Sequence, residues 1–115
     1  MTLLIVDDDE DIRDSLADFF RDAGYRVAVA ANGAEAWELL SETEPPAAIV
    51  LDLFMPVMDG SALYGRLRQD PRLAEVPVIF ATSDPSGAPK GAPTMTKPID
   101  LERLMQAIKV HCERA

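Results

Sequence analysis

Four short β-forming runs in this chain each stop at polar side chains. Leu3-Leu4-Ile5-Val6 stops at Asp7-Asp8-Asp9, and Ala48-Ile49-Val50-Leu51 stops at Asp52. Val78-Ile79-Phe80-Ala81 stops at Thr82, and Thr94-Met95-Thr96 stops at Lys97-Pro98. The first three are apolar at every position, which is the pattern of a strand buried on both faces in a parallel sheet. All strands of such a sheet end on one rim, where open α/β sheets place their ligands. Asp7, Asp8, Asp52, Thr82 and Lys97 are therefore expected together. Asp52, at the end of a central strand, is the candidate for the residue on which the chemistry happens.

Between these runs the hydrophobic period changes to that of helices. Ile12, Leu16, Phe19, Phe20 and Ala23 mark one face, with Arg13, Asp14, Asp18 and Arg21 on the other and Gly24 as a C-cap. Tyr25 to Ala30 alternates more and reads as an edge strand. Asn32, with Glu35 three residues on, opens a second helix, and Pro45-Pro46 forbids its continuation. A third helix is expected from about Ser61 to Gln69, and a last one from about Asp100 to Glu113 that buries Cys112. The stretch from Ser83 to Pro93 holds three prolines and two glycines and predicts no helix. Alternating strands and helices give a doubly wound α/β fold. The expected form is a five-stranded parallel sheet in the order 2-1-3-4-5, flavodoxin-like, with its fourth helix missing or reduced.

The 115 residues are expected to form one domain, residues 1–115. A net charge of −9 argues against a nucleic-acid surface, since phosphate backbones need Lys and Arg. Cys112 is the only cysteine, which excludes a disulfide framework or a cysteine zinc site and fits a reducing cytoplasm. No apolar run approaches the ~20 residues of a membrane span, and no signal peptide is expected.

Strands one and three are neighbours in the expected order, so Asp7, Asp8 and Asp52 converge. Three carboxylates in one cleft repel one another unless a cation is present. A hard divalent ion with oxygen ligands answers this, and Mg²⁺ is usual where phosphate is handled. Asp8 and Asp52 are the candidate direct ligands, Asp7 acts partly through water, and the Phe54 backbone carbonyl supplies another oxygen. Lys97 can reach one phosphoryl oxygen and the Thr82 hydroxyl another, so both would stabilise a phosphoryl group moving in line onto Asp52. Asp9 and Asp59 read as helix caps rather than ligands. His111 and Cys112 do not make a metal site, and Asp7 to Arg13 lacks the glycine and glutamate of a calcium loop. The Lys97-Pro98 bond can take the cis form.

Taken together, Asp7-Asp8, Asp52 with Met55-Pro56 and Met58-Asp59-Gly60 behind it, Thr82-Ser83 and Lys97-Pro98 resemble the receiver domain of two-component response regulators. The resemblance covers essentially the whole chain. It implies a fold like the chemotaxis regulator, Mg²⁺ dependence, and phosphotransfer from the phosphohistidine of a histidine kinase or phosphotransfer protein to Asp52. It also implies a reversible switch of binding to a downstream protein, without an enzyme activity beyond the domain's own phosphorylation and dephosphorylation. Two positions depart from the pattern. Thr94 stands three before the lysine, where receivers usually carry an aromatic residue, and the link from Thr82 to Lys97 is short for a helical crossover. Phe80-Ala81-Thr82 resembles a subgroup marked by Phe-Ala-Thr-Gly-Tyr, but Ser83-Asp84 does not match its end. These departures motivate an alternative, a receiver-fold binding module that signals without phosphate. A haloacid-dehalogenase-like phosphatase fits less well. Its paired acids follow the first strand two residues apart, whereas here Phe54 stands two after Asp52.

Overall fold

The computed structural model describes residues 2–112, without the side chain of Cys112. The expected burial of Cys112, and the expected run of the last helix to Glu113, lie outside the described residues. The strands are β1 (Thr2–Val6), β2 (Arg26–Ala30), β3 (Ala48–Leu51), β4 (Val78–Thr82) and β5 (Thr94–Thr96). The helices are α1 (Glu10–Asp22), α2 (Gly33–Glu42), α3 (Gly60–Gln69) and α4 (Leu101–Cys112). All strand pairs are parallel, in the order β2-β1-β3-β4-β5. β2 is an edge strand, as its alternating sequence suggests.

The three apolar strands are buried on both faces, which explains why their sequences do not alternate. Leu3 and Ile5 of β1, Ala48 and Val50 of β3, and Ile79 and Ala81 of β4 pack against α1 and α4. The intervening Leu4, Val6, Ile49, Leu51, Val78 and Phe80 pack on the other side, against Ala36 and Leu40 of α2 and Leu63 and Leu67 of α3. The strand side-chain period of two thus divides one sheet between two cores.

Helix ends follow local chemistry. Asp9 caps α1, accepting from the Asp11 and Ile12 N–H groups. Asn32 caps α2 by accepting from Glu35 N–H, and Asp59 caps α3 by accepting from Ala62 N–H. At the end of α1, Ala23 is the C-cap, and Gly24 lies one position beyond it with φ +98°. Gly24 N–H donates to Arg21 O and Tyr25 N–H to Phe20 O, a Schellman closure that uses the left-handed residue. This closure keeps Tyr25 out of β2.

Between β4 and β5 the chain makes one 3₁₀ turn, Pro85–Gly87, and no α-helix. Pro85, Pro89 and Pro93 recur every fourth residue, and each lacks the N–H that a helical turn requires. Ala88 and Ala92 of this crossover pack on the α2–α3 core, which Phe80 and Tyr64 also line. The crossover covers the region where a fourth crossover helix is absent.

Candidate functional site

Register brings the acids together. The last paired residues of β1 and β3 are Val6 and Leu51, and Asp52 N–H donates to Val6 O at 3.0 Å. Asp7 and Asp52 are one step further along, on adjacent strands, and both are buried. Asp8 follows at an exposed position. Asp7, Asp8 and Asp52 each offer a carboxylate oxygen such that the three lie within 4.8 Å of one another. Lys97 arrives from the end of β5, where its N–H donates to Thr82 O at 2.8 Å and its peptide bond to Pro98 is cis. Its Nζ stands 2.8 Å from Asp7 Oδ2 and 3.3 Å from Asp52 Oδ2. Asp7 Oδ1 accepts from Asp9 N–H at 2.9 Å, and Asp52 Oδ1 accepts weakly from Phe54 N–H at 3.4 Å.

The electrostatics are under-compensated. Burial pushes the Asp52 carboxyl above its usual 3.8, the Asp7 charge pushes the same way, and Lys97 and the Phe54 N–H only partly oppose them. For Lys97, burial works to lower the ammonium, but Asp7 and Asp52 outweigh it and hold it above 10.5. The lysine is therefore charged throughout the physiological range and serves two carboxylates at once. Among the described residues the Asp8 carboxylate has no hydrogen-bond or ion-pair partner, and no backbone N–H donates to Phe54 O. Oxygen-only donors, surplus negative charge and one solvent-facing acid fit a hard divalent cation such as Mg²⁺.

The loop from β3 to α3 is held from both sides by glycines. Gly60 N–H donates to Leu53 O at 2.8 Å, and a Cβ at Gly60 would stand 2.2 Å from Asp52 O. Gly33 N–H donates to Met58 O at 2.9 Å, and a Cβ there would stand 2.6 Å from that oxygen. Within the loop, Met58 N–H donates to Pro56 O across Val57, a γ-turn whose β-branched centre has φ +69°. Val57 is 85% exposed and Phe54 is 54% exposed. In the sequence, Asn32 and Asp59 mark helix starts, and neither cap by itself shows what its following glycine holds. The repeated Asx-Gly pair was the available sign that two helix N-termini approach one loop.

Two residues of the rim and of α1 bond locally. Thr82 is buried on the same rim, but its Oγ1 accepts from Asp84 N–H at 3.3 Å and donates to Asp84 O at 3.4 Å. By strand alternation it follows Val78 and Phe80, which face α2 and α3. Arg13 departs from the periodicity reading, which put it on the solvent face. It is half-buried, and its Nη1 donates to Asp7 O at 3.0 Å.

The sheet order and the acids on its carboxyl rim define the flavodoxin-like fold of receiver domains. The sequence matches the response regulator receiver domain family over residues 3–109, and the chain belongs to that family. It is 38% identical over 117 residues to the transcriptional regulatory protein PrrA of Mycobacterium tuberculosis, covering 97% of this chain and 50% of PrrA. The chain spans about half the length of several curated relatives it matches. It superposes with TM-score 0.88 on the signal receiver domain of a signal transduction histidine kinase from Syntrophus aciditrophicus, at 34% identity over 97% of this chain and 89% of that one. The receiver domain of sensor histidine kinase PA1611 from Pseudomonas aeruginosa PAO1 shares the fold with TM-score 0.88 at 23% identity, covering 97% of each chain. That protein carries a magnesium ion coordinated in its active site cleft.

Proposed function

We propose that this receiver domain takes a phosphoryl group on Asp52 from the phosphohistidine of a histidine kinase or phosphotransfer protein. The phosphorylated form then changes its binding to a downstream protein. One observation carries the reading: a single ammonium, Lys97, bridges the buried Asp7 and Asp52 while Asp8 stands open beside them. Asp7, Asp8, Asp52 and the Phe54 carbonyl are the groups that would hold Mg²⁺. The bound cation supplies charge compensation for the incoming phosphoryl oxygens.

The chain's own groups do the rest. An Asp52 carboxylate oxygen forms the new O–P bond as the N–P bond of the donor breaks, and the electron pair of that bond stays on the imidazole nitrogen. Lys97 is already within reach of Asp52 Oδ2 and can move its contact to a phosphoryl oxygen as charge builds there. The Thr82 hydroxyl can serve a second oxygen after releasing Asp84, whose two bonds to it are long. Asp84 Oδ1 accepts from Ser86 Oγ at 2.6 Å and from Ser86 N–H at 3.1 Å. The apolar Phe54 side chain beside the acceptor favours a long-lived acyl phosphate. No helix among the described residues is long and apolar enough to cross a membrane. A cytoplasmic placement, beside the kinases that serve this family, accords with the reading.

A phosphate-free binding module gains no support from a cluster that keeps every charged group. The test is incubation with acetyl phosphate and Mg²⁺, read by intact-protein mass. The expected result is one added phosphate, not acquired when EDTA replaces Mg²⁺ and absent in Asp52→Asn. Equal uptake by Asp52→Asn would overturn the assignment.

A further inference from the structure

Arg13 is the fourth residue of α1 and closes its first turn, and its side chain reaches back beyond the start of its own helix. Its Nη1 donates to the carbonyl oxygen of Asp7 at 3.0 Å, and its own N–H donates to Asp9 O at 2.9 Å. The same short segment carries Asp7 and Asp8. The buried Asp7 carboxylate is held at its other end by Asp9 N–H and by Lys97. Asp7 lies just beyond the last β1–β2 pair, Val6 and Ala30; its N–H is still fixed by Ala30 O at 3.1 Å, but no backbone N–H among the described residues donates to its carbonyl. Arg13 supplies that missing restraint, and the peptide it restrains is the one joining Asp7 to Asp8.

We infer that Arg13 is a positioning residue. By holding the Asp7–Asp8 peptide, its guanidinium aims the exposed Asp8 carboxylate at the same point as Asp7 and Asp52. This rests on the reading above, that these acids hold a divalent cation. Groups that orient metal ligands without touching the metal commonly govern affinity. Arg13 is a positive charge near an acidic site. On charge alone, removing it strengthens cation binding, because like charges repel. If it acts by positioning, removing it weakens binding.

The experiment is Mg²⁺ titration by isothermal calorimetry on wild type, Arg13→Met and Arg13→Lys, at a temperature well below the melting point of each. Far-ultraviolet circular dichroism and melting without metal serve as controls. Arg13→Met should bind Mg²⁺ about tenfold more weakly than wild type, the lower end of what such orienting groups contribute. Arg13→Lys, which keeps the charge and a donor, should recover most of that loss. If Arg13→Met does not fold, the comparison of Arg13→Lys with Arg13→Gln tests the same point, since glutamine is neutral and its amide ends two atoms short of the Arg13 Nη1 that reaches Asp7 O. Glutamine binding Mg²⁺ no more tightly than lysine supports positioning, and tighter binding contradicts it. Unchanged or tighter Mg²⁺ binding by a folded Arg13→Met overturns the inference. Absence of Mg²⁺ binding by wild type itself would overturn the parent reading, and this one with it.

Discussion

Asp52 carries a cost that its function explains. It is 6% exposed, its carboxyl is pushed up by burial and by Asp7, and Lys97 returns only part of that. A carboxyl whose pKa is raised by folding prefers its protonated form in the folded state. Its favourable contribution is fully present below the unfolded value of 3.8 and is lost as pH rises through the folded pKa. At pH 7 and without metal, ionised Asp52 therefore destabilises the fold. Asparagine mimics the protonated acid in shape and leaves Lys97 its bond to Asp7. Asp52→Asn should raise the melting temperature of the metal-free protein by a few degrees at pH 7, and the gain should fade as pH falls towards 3.8. Thermal unfolding in EDTA across that range checks it. A gain that grows towards low pH would contradict the sign.

At the scale of elements, two glycines in α3 look alike in sequence and differ in duty. A Cβ at Gly60 would stand 2.2 Å from Asp52 O, whereas Gly65 is exposed with nothing within 4 Å. Gly60→Ala should cost roughly 2–3 kcal/mol by forcing the acceptor loop away from the helix start. Gly65→Ala should stabilise by roughly 0.5–1 kcal/mol through helix propensity. Urea unfolding of the two variants should therefore move in opposite directions. The β4–β5 crossover has a different weakness. Its backbone bonds include Ala88 N–H to Pro85 O and Ala92 N–H to Pro89 O, and its first anchor is the pair of long Thr82–Asp84 bonds. The Phe54 ring lies by the turn, its Cζ 3.6 Å from where a Gly87 Cβ would be. If Thr82 turns to a phosphoryl group, it lets go of Asp84 and the crossover resettles. Amide exchange at residues 84–92 should be fast in the free protein and should change with acetyl phosphate and Mg²⁺. Identical exchange in both states would remove this switch.

Across the whole molecule, the legible features were those set by local chemistry. The apolar runs of β1, β3 and β4, the caps at Asp9, Asn32 and Asp59, and the prolines that keep the crossover from being helical could all be read from neighbours in the chain. So could the rim, because parallel strands bring their carboxyl ends together whatever lies between them. What stayed hidden depends on side chains reaching across or back along the fold. Helical periodicity assigns Arg13 to solvent because it counts faces, not the length of a guanidinium arm. The positive φ of Val57 defies its β-branched side chain, and the loop that imposes it is held by Gly33 and Gly60 from two different helices. The Thr82 hydroxyl could not be placed without knowing that Asp84 turns back onto it.

All of these parts converge on one atom group, the Asp52 carboxylate. An acyl phosphate there is open to borohydride, which reduces it to the alcohol and turns that aspartate into homoserine. The most direct measurement is therefore peptide mass spectrometry after acetyl phosphate, Mg²⁺ and borohydride treatment. Homoserine at position 52 alone is the predicted result. Homoserine at Asp7, Asp8 or another acid, or none anywhere, would contradict the account.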